Sequence, residues 1–405
     1  MTPVVVVLIL VLLLGIQPVT TDLYLPALPS LPHDLGASVA QAQLTLSVLI
    51  VCFGLAQLVC GPLADRFGRR PVLLAGLALY TLASVLAALS PGIGWLIAWR
   101  ALQGAAMAAA VTCGRSIVRD LFEPHEGARV MSKALGGLGM IALLCPLIGG
   151  MIMQWLNWHA ALMALALFGA ATLGFVAWRF EETAPQLNPA ATRLAPLWLN
   201  WKQIARHPTF VAYTLLLSGT YGGLFIVLAA SSFVFIDVLG LSRLAYGAVL
   251  ASNSAAYILG TLLCRRLLAR HGLRSTVAIG GALSLSGGVL LAALSLAGAH
   301  ERSIGAIVLP LWLYALGHGI HQPCGQAGAV GPFRDKAGTA ASLSGFCMML
   351  TAFFIGLWLG RSLNGTVFPL TLGVAAFSVV VVATVAWTLV QRHGDPQPGA
   401  TAQPA

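Results

Sequence analysis

The chain has 405 residues, of which 58% are hydrophobic and only 8% are charged. Soluble proteins carry roughly 25% charged residues, so these charges are too few to cover a water-facing surface. The net charge of +10 does not indicate nucleic-acid binding, because the basic residues lie in short gaps between apolar runs and form no continuous patch. The composition therefore predicts an all-α integral membrane protein, since helices satisfy their own backbone hydrogen bonds in lipid.

About twelve apolar segments are long enough to cross a bilayer. They cover roughly residues 3–28, 41–63, 72–90, 93–113, 129–153, 160–178, 210–236, 244–264, 276–297, 303–325, 339–361 and 366–390. The longest internal gap, from Arg179 to Pro208, leaves about six segments on each side, which indicates two repeated bundles with pseudo-two-fold symmetry. We expect an N-terminal six-helix bundle (1–182), a cytoplasmic linker (183–208), a C-terminal six-helix bundle (209–391) and a disordered cytoplasmic tail (392–405).

The distribution of basic residues predicts the orientation. With the N-terminus placed inside, 18 of the 22 basic residues fall in inside gaps or at their helix ends, whereas Arg243, Arg302 and Arg361 fall outside. The positive-inside rule then predicts two cytoplasmic termini and an even number of spans. The first apolar run lacks a preceding basic residue and a clear cleavage site, so we expect a spanning helix rather than a signal peptide. Whether the natural N-terminus is longer stays open.

An aspartate lies near the end of the first apolar run, in the stretch T-D-L-Y-L-P-A-L-P (residues 21–29). Of the twelve acids, ten lie in gaps or at span ends and Asp237 lies at the outer end of span seven, so Asp22 is the candidate intramembrane carboxylate. Desolvation favours a neutral carboxyl group, which would let Asp22 exchange protons near neutral pH. About 28 Å of helix precede it, so an anchoring role at the outer end of the helix is the alternative.

The loop between spans two and three reads G-P-L-A-D-R-F-G-R-R-P. Its glycine and charged positions are Gly61, Asp65, Arg66, Gly68, Arg69 and Arg70. The pattern resembles the G-x-L-a-D-r-x-G-r-r signature of the major facilitator superfamily. The resemblance implies a gating loop in which Asp65 pairs with cationic groups when the cytoplasmic side is closed.

The second half carries a weaker copy of this loop, G-T-L-L-C-R-R, which begins at Gly260. Cys264 stands where Asp65 stands in the first copy, and Arg270 and Arg274 follow. The offset is about half the chain, which supports an internal repeat.

Two further motifs lie in spans four and five. Arg100, in W-R-A-L-Q-G, would be costly in lipid unless it is paired, faces water or snorkels to the surface. It resembles the superfamily's R-x-x-q-G motif, whose arginine is linked to proton transfer in proton-coupled drug exporters. The stretch containing Gly139, Pro146, Gly149 and Gly150 resembles the antiporter motif G-x(6)-G-P-x-x-G-G, which marks exporters, although Cys145 replaces one glycine. Close packing of small residues is the alternative.

The Asp22 stretch, V-R-D-L-F (118–122) and A-G-T-A-A-S-L-S-G (337–345) resemble the Bcr/CflA subfamily of drug:proton antiporters. The resemblance covers nearly the whole chain and implies efflux of small, mostly hydrophobic drugs by alternating access across the bacterial inner membrane. It implies a monomeric transporter and no enzyme, with the proton gradient as energy source and no cofactor. Its partners would be the substrate, protons and lipid. Export of a physiological metabolite and uncoupled facilitation are alternatives, and the absence of a sizeable soluble domain disfavours a receptor.

The substrate site is expected between the halves, near the bilayer midplane. The candidate cavity residues are Tyr24, Gln57, Gln103, Tyr221, Phe235, Asn253, Tyr257, His318 and His321. His318 and His321 are three residues apart and would share a helix face, where they could relay a proton or bind an anion. Packing against polar neighbours is the alternative. The seven cysteines have no CxxC spacing, so we expect neither a disulfide nor a metal site.

Overall fold

The computed structural model describes residues 2–184, 186–333 and 336–390, and within these ranges it contains helices and no strand. The twelve long helices are Pro3–Asp22 (α1), Val39–Phe67 (α2), Arg69–Ala88 (α3), Ile93–Leu121 (α4), Pro124–Trp155 (α5), Trp158–Arg179 (α6), Pro208–Ser232 (α7), residues 243–271 (α8), residues 273–296 (α9), Gly305–Val330 (α10), Ala337–Ser362 (α11) and Phe368–Val390 (α12). A shorter helix, Leu194–Ala205, lies in the linker. The predicted all-α fold with about twelve helices is confirmed, while the predicted tail at 392–405 lies outside the described residues.

Ten helical segments in the described ranges are long and apolar enough to cross a membrane. The helices α8 and α9 count as one of these, because hydrogen bonding continues across Gly272, where φ is +70° and the helix breaks. The helix α10 is not among the ten, since two histidines and two glutamines lower its hydropathy. The chain is therefore a multi-pass membrane protein.

The helix α1 ends at Asp22, before the limit near residue 28 that the apolar run predicted. Pro26 and Pro29 have no N–H group and cannot continue an α-helical hydrogen-bond ladder. The chain instead forms a 3-10 segment, Leu25–Ser30, whose first four residues are buried. This segment packs against α5 and α7, and against the π-helical turn Phe233–Val238 that follows α7. The end of α1 thus lies between the first and last six helices.

The first six helices and the last six meet mainly along two helix pairs, α2 with α11 and α5 with α8. In the second pair the backbones are in direct contact. A Cβ atom on Gly150 of α5 would lie 2.6 Å from the carbonyl oxygen of Arg243, and one on Gly247 of α8 would lie 2.5 Å from the carbonyl oxygen of Pro146. Arg243 also donates from Nη1 to the carbonyl oxygen of Met153 at 3.3 Å. Glycine is required here because the helices approach closely.

The α5–α8 contact predicts the effect of adding one methyl group at this point. Gly150→Ala should force the two helices apart and lower the free energy of unfolding by about 1–3 kcal/mol, the usual cost of overpacking. The thermal unfolding midpoint of the detergent-solubilised protein measures this change.

Gly136→Ala is the matched control, because a Cβ at Gly136 of the same helix would have no heavy atom within 4 Å. It should be neutral or slightly stabilising, since alanine favours a helix over glycine. Equal midpoints for the two variants would contradict the tight contact.

Candidate functional site

The side chain of Arg100 is fully buried in the first half and does not reach the protein surface. Its Nη1 donates to Oε1 of Gln103 at 2.6 Å, and its Nη2 donates to the carbonyl oxygen of Thr20 at 3.3 Å. Its guanidinium carbon lies 4.2 Å from the ring centroid of Tyr24. No carboxylate pairs with Arg100 in the part of the chain that the structure describes. A ring face and oriented dipoles therefore solvate this charge.

Further hydrogen bonds connect this Arg100 cluster to α2 and α3. They join Gln103 Nε2 to Ser84 Oγ at 2.6 Å, Thr20 Oγ1 to Tyr80 OH at 2.6 Å, and Tyr24 OH to Thr45 Oγ1 at 2.9 Å. The candidates Tyr24 and Gln103 are both fully buried in this network. These hydrogen bonds hold the C-terminal end of α1 against α2, α3 and α4.

Asp22 lies between Thr20 and Tyr24 in sequence, and both contact Arg100, but Asp22 itself is not paired with Arg100. Its Oδ1 accepts a hydrogen bond from Thr21 Oγ1 at 2.7 Å, and the side chain keeps intermediate exposure. The side chains of Tyr221 in α7 and Tyr246 in α8, which belong to the second half, lie within electrostatic range of the carboxylate. The structure therefore places Asp22 at the boundary between the halves, with no cationic partner among the described residues.

The antiporter-motif residues lie along α5, where it meets α1 and α8. Gly149 packs against the carbonyl oxygen of Leu23, Gly150 against that of Arg243, the carbonyl of Pro146 against Gly247, and Gly139 against Ile258. Leu23 follows Asp22 directly, so the same stretch of α5 contacts both the Asp22 end of α1 and the second half.

Three of the proposed cavity residues come together in the second half. The ring centroid of His318 lies 5.4 Å from that of Tyr257 and 6.4 Å from that of Tyr221. The Nδ1 atom of His318 lies 3.0 Å from Thr220 Oγ1. Of these three residues, Tyr221 lies within electrostatic range of Asp22 across the boundary.

His321 contacts a different helix from His318. Its Nε2 atom lies 3.0 Å from the carbonyl oxygen of Val277 in α9. A carbonyl only accepts hydrogen bonds, so Nε2 carries the hydrogen. The Nδ1 atom is buried and has no hydrogen-bond partner among the described residues. The two imidazoles are both buried, but His318 contacts α7 and His321 contacts α9.

The remaining cavity candidates lie apart from this group. Gln57 is buried in the α2–α11 contact, where its amide faces Gly345. Phe235 and Asn253 line a cavity of about 10 Å³ within the second half. A larger cavity of about 440 Å³ opens where α11 ends and α12 begins, next to Trp358, and none of the candidate residues lines it.

The gating-loop aspartate pairs within its own half. Asp65 Oδ1 lies 2.5 Å from Arg69 Nη1, and Arg69 Nε donates to Asp120 Oδ2 at 2.9 Å. Asp120 and Arg69 are buried, whereas 44% of the Asp65 side chain is exposed. Arg66 donates from Nη1 to Thr192 Oγ1 in the linker at 2.6 Å, and the Asp65 carbonyl oxygen accepts from the backbone N–H of Asn188. The loop is therefore tied to α4 and to the linker.

Glu182 holds the start of α3, a role that no motif in the sequence predicts. Its carboxylate accepts hydrogen bonds from the backbone N–H groups of Arg69, Arg70, Thr183 and Ala184 at 2.9–3.0 Å. Partial burial acts to raise the pKa of Glu182, but these four donors together outweigh it and lower the pKa below its ordinary value. The carboxylate therefore stays ionised as the N-terminal cap of α3.

Arg70 links the start of α3 to the end of α6. Arg70 donates from Nε to the carbonyl oxygen of Phe180 at 2.8 Å and from Nη2 to that of Ala177 at 3.1 Å, so it caps the C-terminus of α6. Gly68 has φ +97°, and a side chain there would collide with Glu182. One signal in the sequence does point to an external cap. The helix α3 starts with glycine and two arginines, which oppose the helix dipole.

Comparison with known proteins gives the family. The model of the Major Facilitator Superfamily matches residues 10–356. The chain belongs to the major facilitator superfamily. It is 31% identical over 332 residues to the chloramphenicol resistance protein of Pseudomonas aeruginosa, covering 81% of this chain and 76% of that one. It is 27% identical over 385 residues to a bicyclomycin resistance protein homolog of Haemophilus influenzae, covering 92% and 94%.

The resemblance to the Bcr/CflA subfamily is thereby confirmed, and this major facilitator protein is a transporter. Its fold also matches a solved structure, that of a bacterial homolog to the human lysosomal transporter Spinster in an inward-facing and occupied conformation. The TM-score is 0.73 at 15% identity, over 96% of each chain. The predicted major facilitator fold is confirmed.

The Glu182 cap predicts a specific loss of stability. Glu182→Gln should lower the free energy of unfolding by about 1 kcal/mol, the usual value of a helix cap, because a neutral amide accepts these hydrogen bonds less strongly. Because the folded-state pKa is lowered, the stabilisation is fully present above the ordinary pKa of 4.5 and is lost as the pH falls through the folded-state value. Thermal unfolding in detergent from neutral to acidic pH measures both effects.

Glu181→Gln removes the same charge from the preceding position, where the side chain is exposed and no hydrogen bond involves it in the described structure. It should leave the unfolding midpoint nearly unchanged. If both variants unfold alike at neutral pH, Glu182 does not act as the cap of α3.

Proposed function

We propose that this transporter exports small, mostly hydrophobic drugs across the bacterial inner membrane in exchange for protons. The observation that carries the proposal is the position of Asp22. A partly exposed carboxylate ends α1 where α5 packs on both Leu23 and Arg243, within electrostatic range of Tyr221 and Tyr246, and no cation neutralises it among the described residues. The names of relatives with chloramphenicol and bicyclomycin resistance support a drug as the substrate.

Proton binding and release at Asp22 would couple drug export to proton import. A neutral carboxyl group and a carboxylate interact differently with Tyr221 and Tyr246, so protonation changes the free energy of the contact between the halves. At a driving force of ~150 mV, one proton supplies about 3.5 kcal/mol, enough for a gradient of a few hundredfold. In this mechanism the proton gradient is the energy source and the transporter needs no cofactor.

Alternating access would then be a rocking of the bundle at residues 1–182 against the bundle at 209–391, joined by the linker at 183–208. Both termini would be cytoplasmic, and the monomer would be the working unit. The Arg100 cluster would act as a fixed support for the Asp22 end of α1, because Arg100 donates to the carbonyl oxygen of Thr20. Tyr221, Tyr257 and His318 would form the part of the substrate site that lies nearest to Asp22.

The gating loop has a separate role in this proposal. Asp65, Arg69 and Asp120 form a charged chain at the cytoplasmic end of α2, α3 and α4. Glu182 and Arg70 attach the same loop to the end of α6, directly before the linker. Movement of the linker would therefore displace the gating loop.

The proposal predicts that Asp22→Asn abolishes drug resistance. In an efflux-deficient bacterial host, the wild type should raise the minimal inhibitory concentration of some compounds in a broad panel. Asp22→Asn, matched for membrane expression, should return these values to those of the empty host. In proteoliposomes an imposed pH gradient should drive uptake of the same compounds by the wild type and not by Asp22→Asn.

Asp237→Asn is the matched control, because Asp237 is an exposed acid at the outer side of the second half. It should protect as the wild type does. If Asp22→Asn also protects fully, Asp22 is not the coupling group and the proton must bind elsewhere. If the wild type protects against no compound, drug export is wrong and export of a physiological metabolite becomes the leading function.

A further inference from the structure

One face of α8 changes from exposed leucines to exposed arginines near its cytoplasmic end. Leu259 and Leu262 are 58% and 49% exposed, although both are large and apolar. Arg266 and Arg270 follow at four-residue steps and are also exposed. Residues three or four apart lie on the same face of a helix, so the four side chains form a continuous stripe. One helical step of four residues, about 6 Å, separates the leucines from the first arginine.

The two arginines of this stripe have no partner within the part of the chain that the structure describes. Arg266 and Arg270 form no hydrogen bond and no ion pair there. Like charges four residues apart on a helix repel each other. The sequence offers no nearby compensation along the chain, because no acidic residue occurs between Asp237 and Glu301. The stripe therefore ends in an unneutralised pair of cations.

The equivalent loop of the first half shows how such charges are otherwise satisfied. Arg69 pairs with Asp65 and Asp120, and Arg70 donates to the carbonyl oxygens that end α6. In the second half Cys264 replaces the aspartate, so the internal anion is missing. In the first half, protein carboxylates and carbonyl groups neutralise the loop arginines. In the second half the negative counter-charge for Arg266 and Arg270 has to come from outside the protein.

We propose that the stripe binds an anionic phospholipid of the cytoplasmic leaflet. The lipid phosphate would lie between the guanidinium groups of Arg266 and Arg270, which suit the fork geometry of phosphate oxygens. An acyl chain would extend along Leu259 and Leu262 towards the bilayer centre. The leucines distinguish a lipid from a free polyanion, because only a lipid offers an apolar chain next to its phosphate.

Native mass spectrometry of the full-length protein in detergent tests this site. The protein is titrated with dioleoyl-phosphatidylglycerol and, separately, with the zwitterionic dioleoyl-phosphatidylcholine. The wild type should bind the first phosphatidylglycerol more tightly than phosphatidylcholine. Arg266→Gln/Arg270→Gln should weaken the phosphatidylglycerol step by roughly tenfold or more, as expected for two arginines near an anionic headgroup.

Arg302→Gln/Arg361→Gln is the matched control, since it also removes two exposed arginines but leaves the stripe intact. It should bind phosphatidylglycerol as the wild type does. Equal weakening in both double variants would mean that net charge governs binding, and an unchanged affinity in Arg266→Gln/Arg270→Gln would mean that the lipid binds elsewhere. Displacement of the lipid by an equal concentration of inorganic phosphate would overturn the lipid assignment in favour of a simple anion site.

Discussion

The positive charge of Arg100 has no carboxylate beside it among the described residues, and much of the first half is arranged to solvate it. An ion in a low-dielectric interior is costly unless dipoles surround it. Here Gln103, the carbonyl oxygen of Thr20 and the ring of Tyr24 supply them. Those groups are in turn held by hydrogen bonds to α2 and α3. The end of α1, and with it Asp22, takes its position from this network.

Composition and local motifs predict the fold well, because spans, charge distribution and the superfamily loop are properties of short segments. The same motifs locate Asp65, Arg69 and Arg100 at structurally important points. Glu182 escaped prediction because the N–H groups of Arg69 and Arg70, which it caps, lie more than one hundred residues away. The two arginines that open α3 indicate that a cap is needed, but not which residue supplies it. The different neighbours of His318 and His321 were equally hidden, because spacing on one helix does not reveal which helices pack against it.

The two halves repeat a fold but not its electrostatics. The first half encloses its loop charges in contacts with Asp65, Asp120 and the end of α6. The second half has Cys264 in place of Asp65 and presents Arg266 and Arg270 outward. Duplicated folds can diverge in this way because packing needs only shape and apolar area, whereas each buried charge needs a specific partner.

The 3-10 segment Leu25–Ser30 also bears on how the chain assembles. It is made among the first thirty residues, yet it packs against α7 and the turn Phe233–Val238, which are synthesised much later. During synthesis the C-terminal end of α1 therefore stays incompletely packed until the second half has been made. The end of the first helix thus reaches its final packing only late in biogenesis. A first half made alone would lack α7 and the turn Phe233–Val238, against which this end packs.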